Sequence, residues 1–304
     1  MAVNKTDIYV YADWVGLLQP TLVGVFSAHQ AKGRKAFSFE YDKQWLKTNA
    51  QRLIDPDIQF YSGQQFPDNK ENFGVFLDSM PDTWGRTLMK RREAQLAKVS
   101  GTKAKTLYDI DFLLGVYDET RMGAFRFKLD LNGDFLDNDT EKSTPPWSTV
   151  RELQQAVVHY ENDEENEAIN KWLKLLIAPG SSLGGARPKA NILDENNELW
   201  IAKFPSKNDT LDKAAWEFLT YMLAINAGIE MAACRLEKVN GPYHTFFTKR
   251  FDRVGTDRIH FSSAMTMTGN NEDTIKDHPA SYLDIVEFIR DKGYHVDKNL
   301  AQLW

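Results

Sequence analysis

Cysteine is nearly absent from this sequence of 304 residues, because Cys234 is its only one. A disulfide framework and a zinc site with four cysteine ligands are therefore excluded, and a reducing cytosol is the expected compartment. The sequence also lacks the run of about 20 apolar residues that a membrane span needs, and its N-terminus lacks the apolar segment of a signal peptide.

Basic residues are not in excess, since 37 Lys and Arg stand against 43 Asp and Glu, a net charge of −6. This balance argues against a sequence-independent nucleic-acid binder. We expect a cytoplasmic protein without membrane contact.

Two kinds of hydrophobic periodicity are present in the chain. Alternation over residues 7–41 predicts an antiparallel β-meander, and a helical pattern follows it between residues 72 and 93. Residues 131–147 are rich in Asn, Asp, Gly, Ser and Pro, which predicts a linker. The second half is predicted to contain, in order, a helix near 148–160, a β-hairpin at 190–204, a helix at 211–226, strands at 232–237 and 243–249, and short helices within 280–304. The sequence therefore predicts an α+β fold with two domains, 1–130 and 148–304.

Two of the predicted helices begin with candidate capping residues. Asp82 or Ser79 is expected to cap the helix that contains Trp84, and Asp209 or Thr210 the helix over 211–226, because short polar side chains accept hydrogen bonds from first-turn N–H groups. Gly228 is expected to stop the second helix.

The segment Gly180–Lys189 (GSSLGGARPK) carries the clearest chemical signal. Its glycines permit backbone conformations in which N–H groups surround an anion. Gly180 and Gly185 have the spacing of a Walker A loop, but Ala186 and Arg187 stand where that loop requires Lys and then Ser or Thr, so a P-loop NTPase is excluded. The G-x-G-x-x-G of protein kinases is absent too. A simple connecting loop is the alternative interpretation.

Lys203 and Glu217 favour an anion-binding interpretation of this loop. Lys203 ends the apolar strand Trp200–Lys203, an arrangement close to the V-A-I-K strand whose lysine contacts nucleotide phosphates. A lysine in such a strand needs an ion-pair partner, and Glu217 on the next helix is the predicted one. The apolar strand that ends in residues 246–253 is a candidate hinge for an adenine ring. Taken singly, an edge lysine, a solvent-facing glutamate and a plain strand end remain the alternatives.

These segments resemble the HipA family, the serine/threonine-protein kinase toxins of type II toxin–antitoxin systems. The resemblance is carried by the Lys203 strand and by the segments 73–86 (FGVFLDSMPDTWGR), 111–127 (DFLLGVYDETRMGAFRF), 180–190 (GSSLGGARPKA) and 249–253 (KRFDR). It implies a β-rich N-terminal domain over 1–130, a linker at 131–147, and a kinase-like ATP-binding lobe over 148–304 from which most of the family's helical C-terminal lobe is absent.

The resemblance also implies site residues, cofactors and partners. The implied ATP-binding residues are the phosphate loop Gly184, Gly185, Ala186, Arg187, Pro188 and Lys189, the phosphate contact Lys203, and the adenine hinge Lys249, Arg250 and Phe251. Ser182 matches the loop serine that family members autophosphorylate, and a phosphate with a charge of about −1.5 to −2 there would repel ATP. ATP and Mg²⁺ are the implied cofactors. The implied partners are a HipB-like helix-turn-helix antitoxin, a protein substrate such as an aminoacyl-tRNA synthetase, and DNA only indirectly, through the antitoxin.

The catalytic part of such a kinase is missing from the sequence after the hinge. Phosphoryl transfer needs a carboxylate that positions the attacking hydroxyl and Asp or Asn ligands for Mg²⁺. The segment His295–Asn299 resembles the start of a catalytic loop, but its Asn follows the Asp too closely. The segment Asp277–Ser281 lacks the Asn altogether. We therefore assign no catalytic or metal-binding residue and expect a truncated chain that is inactive alone.

Three hypotheses stay open at this stage. The chain is a kinase toxin whose catalytic loop comes from another segment or polypeptide, or a non-catalytic homologue that binds only antitoxin or nucleotide. A fragment that folds poorly is the third.

Overall fold

The computed structural model describes residues 4–31, 34–49, 52–140, 143–162, 176, 185–277 and 279–304. The described strands are β1 (Asn4–Ala12), β2 (Thr21–Ala31), β3 (Arg34–Tyr41), β4 (Phe125–Lys128), β5 (Lys189–Leu193), β6 (Leu199–Lys203), β7 (Cys234–Glu237), β8 (Thr245–Lys249), β9 (Arg253–Val254) and β10 (Asp257–Arg258). The described helices are α1 (Lys43–Thr48), α2 (Gly74–Asp78), α3 (Thr83–Val99), α4 (Asp109–Leu114), α5 (Val150–Glu161), α6 (Lys213–Asn226), α7 (Ala264–Met267), α8 (Thr274–Asp277), α9 (Tyr282–Lys292) and α10 (Val296–Leu303). Helices alternate irregularly with antiparallel sheets, which confirms the α+β class. Within the described ranges, no helix combines the length and the apolar character that crossing a bilayer requires.

These elements form two compact units. The first unit consists of Met1–Ser79, Gly123–Phe135 and His260–Trp304, and the second of Met80–Met122 and Leu136–Ile259. These units differ from the sequence-based boundaries in two segments, because residues 80–122 belong to the second unit and residues 260–304 to the first. The reason is packing between residues that are distant in sequence, which periodicity does not report.

An antiparallel sheet in the order β3-β2-β1-β4 forms the centre of the first unit. Its first three strands are the predicted meander. Ile8, Val10 and Ala12 are buried, as expected for alternate residues that share one face of a strand. Aromatic side chains fill the core beside them, and the rings of Phe26 and Phe76 are 4.2 Å apart between centroids.

The second unit is built on an antiparallel sheet in the order β5-β6-β8-β7. The predicted hairpin is β5–β6, and Asp194 closes its turn by accepting hydrogen bonds of 2.9 Å from the N–H groups of Asn196 and Glu198. Helices α3 and α5 share a buried cluster with this sheet, which includes Trp84, Leu88, Leu153, Val157, Ala190, Ile192, Trp200, Ala202 and Phe247. Helix α6 contacts strands β7 and β8. The strands that carry the predicted site residues, β5, β6 and β8, are thus adjacent in one sheet.

The prediction of the N-terminal cap from the sequence is confirmed for α3 and is wrong for α6. Asp82 precedes α3 and accepts a hydrogen bond of 2.9 Å from the Gly85 N–H, so Asp82 rather than Ser79 is the cap. Helix α6 begins after Asp212, which accepts from the Ala215 N–H. The prediction of Asp209 or Thr210 as this cap is wrong, and the Asp209 carboxylate makes other contacts, described below.

Candidate functional site

The predicted phosphate loop enters the described structure at Gly185, whereas Gly184 and Ser182 lie outside the described residues. Gly185 and Ala186 are exposed. The φ angle of Gly185 is +98°, a conformation that residues with a side chain rarely adopt. Pro188 is buried. The described part of the loop therefore has an exposed tip and a buried carboxyl-terminal limb.

Arg187 is held by the segment between β6 and α6. Its two terminal nitrogens donate to the two carboxylate oxygens of Asp209, at 3.2 and 3.0 Å. Burial raises the pKa of Asp209, but hydrogen bonds from the Ser206 N–H and from Arg187 outweigh it and hold that pKa below its ordinary value. The carboxylate is therefore ionised at neutral pH, and it orients a guanidinium that keeps 21% of its side-chain surface exposed.

Lys189, the last residue predicted for the loop, is the first residue of β5. Its Nζ lies 2.6 Å from Oδ2 of Asp82, and the two side chains are only 2% and 4% exposed. Nζ also donates to the Gly185 carbonyl at 3.2 Å. The ammonium of Lys189 is thus enclosed by protein oxygens rather than presented at the surface.

Lys203 is directly opposite Lys189 in the β5–β6 ladder and ends β6. Its ammonium forms an ion pair with Glu217 on α6, the two residues that the sequence predicts as partners. The ammonium also lies 5.4 Å from the centre of the Phe246 ring. The Lys203 and Glu217 side chains are 27% and 37% exposed, so a ligand can reach this pair from solvent.

The predicted hinge lies at the other end of β8. Lys249 is opposite Trp200 of β6, whereas Phe246 is opposite Lys203, so three residues or about 10 Å of strand separate the two positions. Lys249 pairs with Glu198 at 2.5 Å, and both side chains are about one third exposed. The Phe251 side chain is more than half exposed. The sheet therefore carries an accessible lysine near each end of β8.

Arg250 has a different environment, because its side chain is fully buried. Its guanidinium donates to the Asp252 carboxylate at 2.6 and 2.8 Å and to the Thr120 carbonyl at 2.7 Å. Arg253 donates to the same carboxylate at 2.6 Å. Burial, together with the nearby Arg250 and Arg258, lowers the pKa of Arg253 to about 9. The Arg250 side chain thus anchors the end of β8 to the turn at Asp118–Thr120.

Sequence reasoning did not identify Asp82, Trp84 and Asp252 as neighbours of the predicted site. The sequence predicts Asp82 as a helix cap, and it connects the segment of Asp82 and Trp84 with the family motif, but it predicts no contact of this segment with the loop. Asp252 is predicted only as part of the hinge. A carboxylate that contacts a lysine 107 positions away leaves no periodic signal in the sequence. The pairing of a buried lysine with an acid would have been the only general clue.

The two segments that resemble a catalytic loop lie in the first unit. His295 precedes α10 with a left-handed backbone, and Asp277 ends α8, while His278 lies outside the described residues. In the described part of the chain, no group of three His, Cys, Asp or Glu side chains is arranged to hold a metal ion.

Comparison with known proteins gives matches to a family model and to solved structures. Residues 181–304 match the family model described as the HipA-like C-terminal domain. Among solved structures, the chain is similar to a chain of the Shewanella oneidensis MR-1 toxin–antitoxin system HipA, HipB and operator DNA complex, with 15% sequence identity and a TM-score of 0.49. That similarity covers 92% of this chain and 63% of the other, so this chain spans less than two thirds of its length. No curated protein matches the chain with significance.

Proposed function

Since residues 181–304 match the family model of the HipA-like C-terminal domain, we propose that the second unit binds ATP for phosphoryl transfer to a serine or threonine of a protein. The observation that carries this proposal is the Lys203–Glu217 pair. It joins a strand lysine to a helix glutamate, and this lysine is paired in the β-ladder with Lys189, the last residue of the glycine-rich loop. Lysine–glutamate pairs of this kind orient the lysine that neutralises nucleotide phosphates in protein kinases.

The proposed binding mode follows the length of β8. The phosphates contact Lys203 and the exposed backbone of Gly185 and Ala186, and Arg187 adds a second partly exposed cation. The N–H groups of Lys249 and Arg250 donate to the carbonyls of Ala233 and Leu199 within the protein. We therefore assign the adenine to the side of Phe251. About 10 Å of strand between the two ends suits a bound nucleotide.

Magnesium enters this proposal only with the nucleotide. Mg²⁺ is usually held by one or two carboxylates together with the phosphates of the substrate. The described residues contain no group of three His, Cys, Asp or Glu side chains arranged to hold a metal ion, so the proposal assigns no protein ligand to Mg²⁺. In the proposal, Lys203 supplies the positive charge on the protein side, and Glu217 keeps its ammonium in place.

A second candidate function is nucleotide binding without phosphoryl transfer, and the state of Asp252 favours it. This carboxylate follows the proposed hinge but is completely buried and is neutralised by Arg250 and Arg253. An acid in that state accepts no proton from a substrate hydroxyl and binds no metal ion. The chain would then act through binding alone.

The proposal extends to partners and regulation. A HipB-like helix-turn-helix antitoxin is the proposed partner, an aminoacyl-tRNA synthetase the proposed type of substrate, and DNA is contacted only through the antitoxin. The net charge of −6 agrees with indirect DNA contact. Phosphorylation of Ser182 would add negative charge to the loop and weaken ATP binding.

Calorimetry with ATP and Mg²⁺ tests the binding step. Replacing Lys203→Met should weaken ATP binding by about tenfold or more, because hydrogen bonds to charged groups are worth about 1.5–3 kcal/mol. Lys105→Met is the matched control, since Lys105 also forms an ion pair, with Asp111, but away from the loop. Equal affinities of the two variants, or no ATP binding by the wild-type chain, would contradict the proposal.

Transfer of ³²P from ATP to protein by the same preparation separates the two candidate functions. Transfer that depends on Lys203 supports the kinase, whereas ATP binding without transfer supports the binding protein.

A further inference from the structure

The segment Pro81–Arg86, for which the sequence predicts a helix cap but no part in the site, leads into α3 in the second unit. The same unit contains the glycine-rich loop and β5. The first turn of α3 and residues 185–189 are linked by several hydrogen bonds. All of these residues belong to one compact unit.

Three contacts join the start of α3 to the two ends of the loop's carboxyl-terminal limb. Asp82 pairs with the Lys189 ammonium at 2.6 Å. The Trp84 indole Nε1 donates to the Lys189 carbonyl at 3.0 Å, and the Trp84 backbone N–H donates to the Gly185 carbonyl at 3.4 Å. The arc Ala186–Pro188 is therefore fixed at both ends by the same turn of helix.

The Asp82 carboxylate has two tasks in this arrangement. Its Oδ1 accepts from the Gly85 N–H and so caps α3, while its Oδ2 neutralises Lys189. An acid is favoured at a helix N-terminus, and a buried lysine requires a paired acid. The Trp84 ring is itself fixed in the core, with its centroid 5.2 Å from that of Tyr160. The contacts of Asp82 and Trp84 therefore fix the loop relative to helix α3.

We propose that Asp82 and Trp84 are positioning residues for the phosphate-binding loop, and that Lys189 anchors the loop rather than contacting phosphate. This inference rests on the proposed ATP-binding function. Preorganised binding groups raise affinity because less ordering is required when the ligand arrives. Holding the limb at Gly185 and at Lys189, which is paired with Lys203 in the β-ladder, keeps Ala186 and Arg187 accessible to the phosphates in the proposed binding mode.

Two conservative variants test the proposal in the full chain. Trp84→Phe keeps an aromatic ring in the core but removes the hydrogen bond to the Lys189 carbonyl. Asp82→Asn keeps an oxygen that can cap α3 but removes the charge that pairs with Lys189. Asp111→Asn is the matched control, because the Asp111 carboxylate accepts a hydrogen bond from the Tyr108 N–H at the start of another helix, α4, and also pairs with a lysine, Lys105, in the same unit.

Calorimetry should compare ATP with adenosine for each variant. We expect Trp84→Phe and Asp82→Asn to weaken ATP binding at least about fivefold, the effect of one hydrogen bond, and to leave adenosine binding unchanged. A merely structural role would reduce the affinity for both ligands equally. Equal losses for ATP and adenosine, or unchanged ATP affinity, would overturn the positioning role.

Hydrogen–deuterium exchange separates a failure of this inference from a failure of the proposed function, because it needs no nucleotide. Peptides covering residues 185–193 should exchange faster in Trp84→Phe than in wild type, and Asp111→Asn should not change them. Unchanged exchange in Trp84→Phe overturns the proposal even if ATP binds. If residues 185–193 exchange faster in Trp84→Phe but the wild-type chain binds no ATP, the anchoring contacts are supported and only the nucleotide assignment is overturned.

Discussion

Lys189 and Lys203 occupy directly paired positions on β5 and β6, yet their surroundings differ. Lys189 is 2% exposed and pairs with an almost completely buried Asp82, whereas Lys203 is 27% exposed and pairs with the half-exposed Glu217. Like charges directly opposite each other destabilise a strand pair. Each lysine therefore has its own acid, one from α3 and one from α6.

The different surroundings of Lys189 and Lys203 suggest a criterion that separates basic residues that anchor the loop from basic residues that contact a ligand. Every cation of the predicted site that the structure describes is paired with a carboxylate, so pairing alone does not distinguish the two roles. Exposure does distinguish them. Removing one partner of a buried pair is costly because a bare charge remains inside the protein, whereas a solvent-exposed pair contributes little to stability and can exchange its partner for a ligand.

The largest expected effect comes from breaking the buried pair. Asp82→Ala leaves the Lys189 ammonium without its acid and removes the cap of α3, so we expect a loss of about 3–5 kcal/mol in the free energy of unfolding. Urea denaturation followed by circular dichroism measures it.

The control for this effect is the double variant Asp82→Asn with Lys189→Met, which removes both charges. It should recover much of the lost stability, because replacing both members of a buried pair by uncharged groups is often close to neutral. If Asp82→Ala costs no more than Asp111→Ala, the contrast between the two lysines is wrong.

His260 in the first unit is a buried base without an acid partner, and it can be compared with Lys189, which is buried with one. Its ring lies 5.3 Å from Trp14 and 4.9 Å from Phe125 between centroids, and within the described part of the chain neither of its nitrogens has a hydrogen-bond partner. Burial, with a smaller effect of Arg52, lowers the pKa of His260 from 6.5 to about 4. This base is therefore neutral at pH 7.

This pKa predicts a loss of stability in acid. The unfolded chain binds the His260 proton below about pH 6.5, whereas the folded chain binds it only near pH 4, so stability falls as the pH decreases between these values. The full effect is about 3 kcal/mol. Urea denaturation from pH 7 to pH 4 should show a steeper decline for wild type than for His260→Leu. Parallel curves would contradict the assignment.

The smallest effect is expected at the exposed pair. Glu217→Gln should change the free energy of unfolding by less than about 1 kcal/mol, because solvent screens the Lys203–Glu217 attraction. The same urea denaturation measures it, in parallel with Asp82→Ala. A loss as large as that of Asp82→Ala would show that the two pairs are equivalent and that exposure does not separate their roles.

Local features of the fold were predictable where the signal lies within a few residues. The alternation of Ile8, Val10 and Ala12 predicted a strand with one buried face, and the polar turn after Leu193 predicted a hairpin. The cap of α6 was mistaken because two aspartates three positions apart, Asp209 and Asp212, carry the same local signal. Only the partners of Asp209, Arg187 and the Ser206 N–H, distinguish them.

The candidate site was predictable in its accessible part and not in its buried part. Lys203 and Glu217 follow each other at the spacing of a strand and the next helix, so their pairing could be proposed from the sequence. Lys189 was assigned to the phosphate loop by resemblance, and its enclosure depends on Asp82, a residue 107 positions earlier. Chain topology brings such residues together, and no local pattern reports it.

The discontinuous composition of the second unit also determines which fragments of the protein are worth expressing. A fragment cut at the apparent linker, residues 148–304, would contain the glycine-rich loop, β5 and β6 but would lack α3. Its Lys189 would then have neither the Asp82 carboxylate nor the Trp84 indole beside it, and the hydrophobic cluster of the sheet would lose Trp84 and Leu88. An expression boundary that respects the unit begins at residue 80 or earlier and includes the whole of α3.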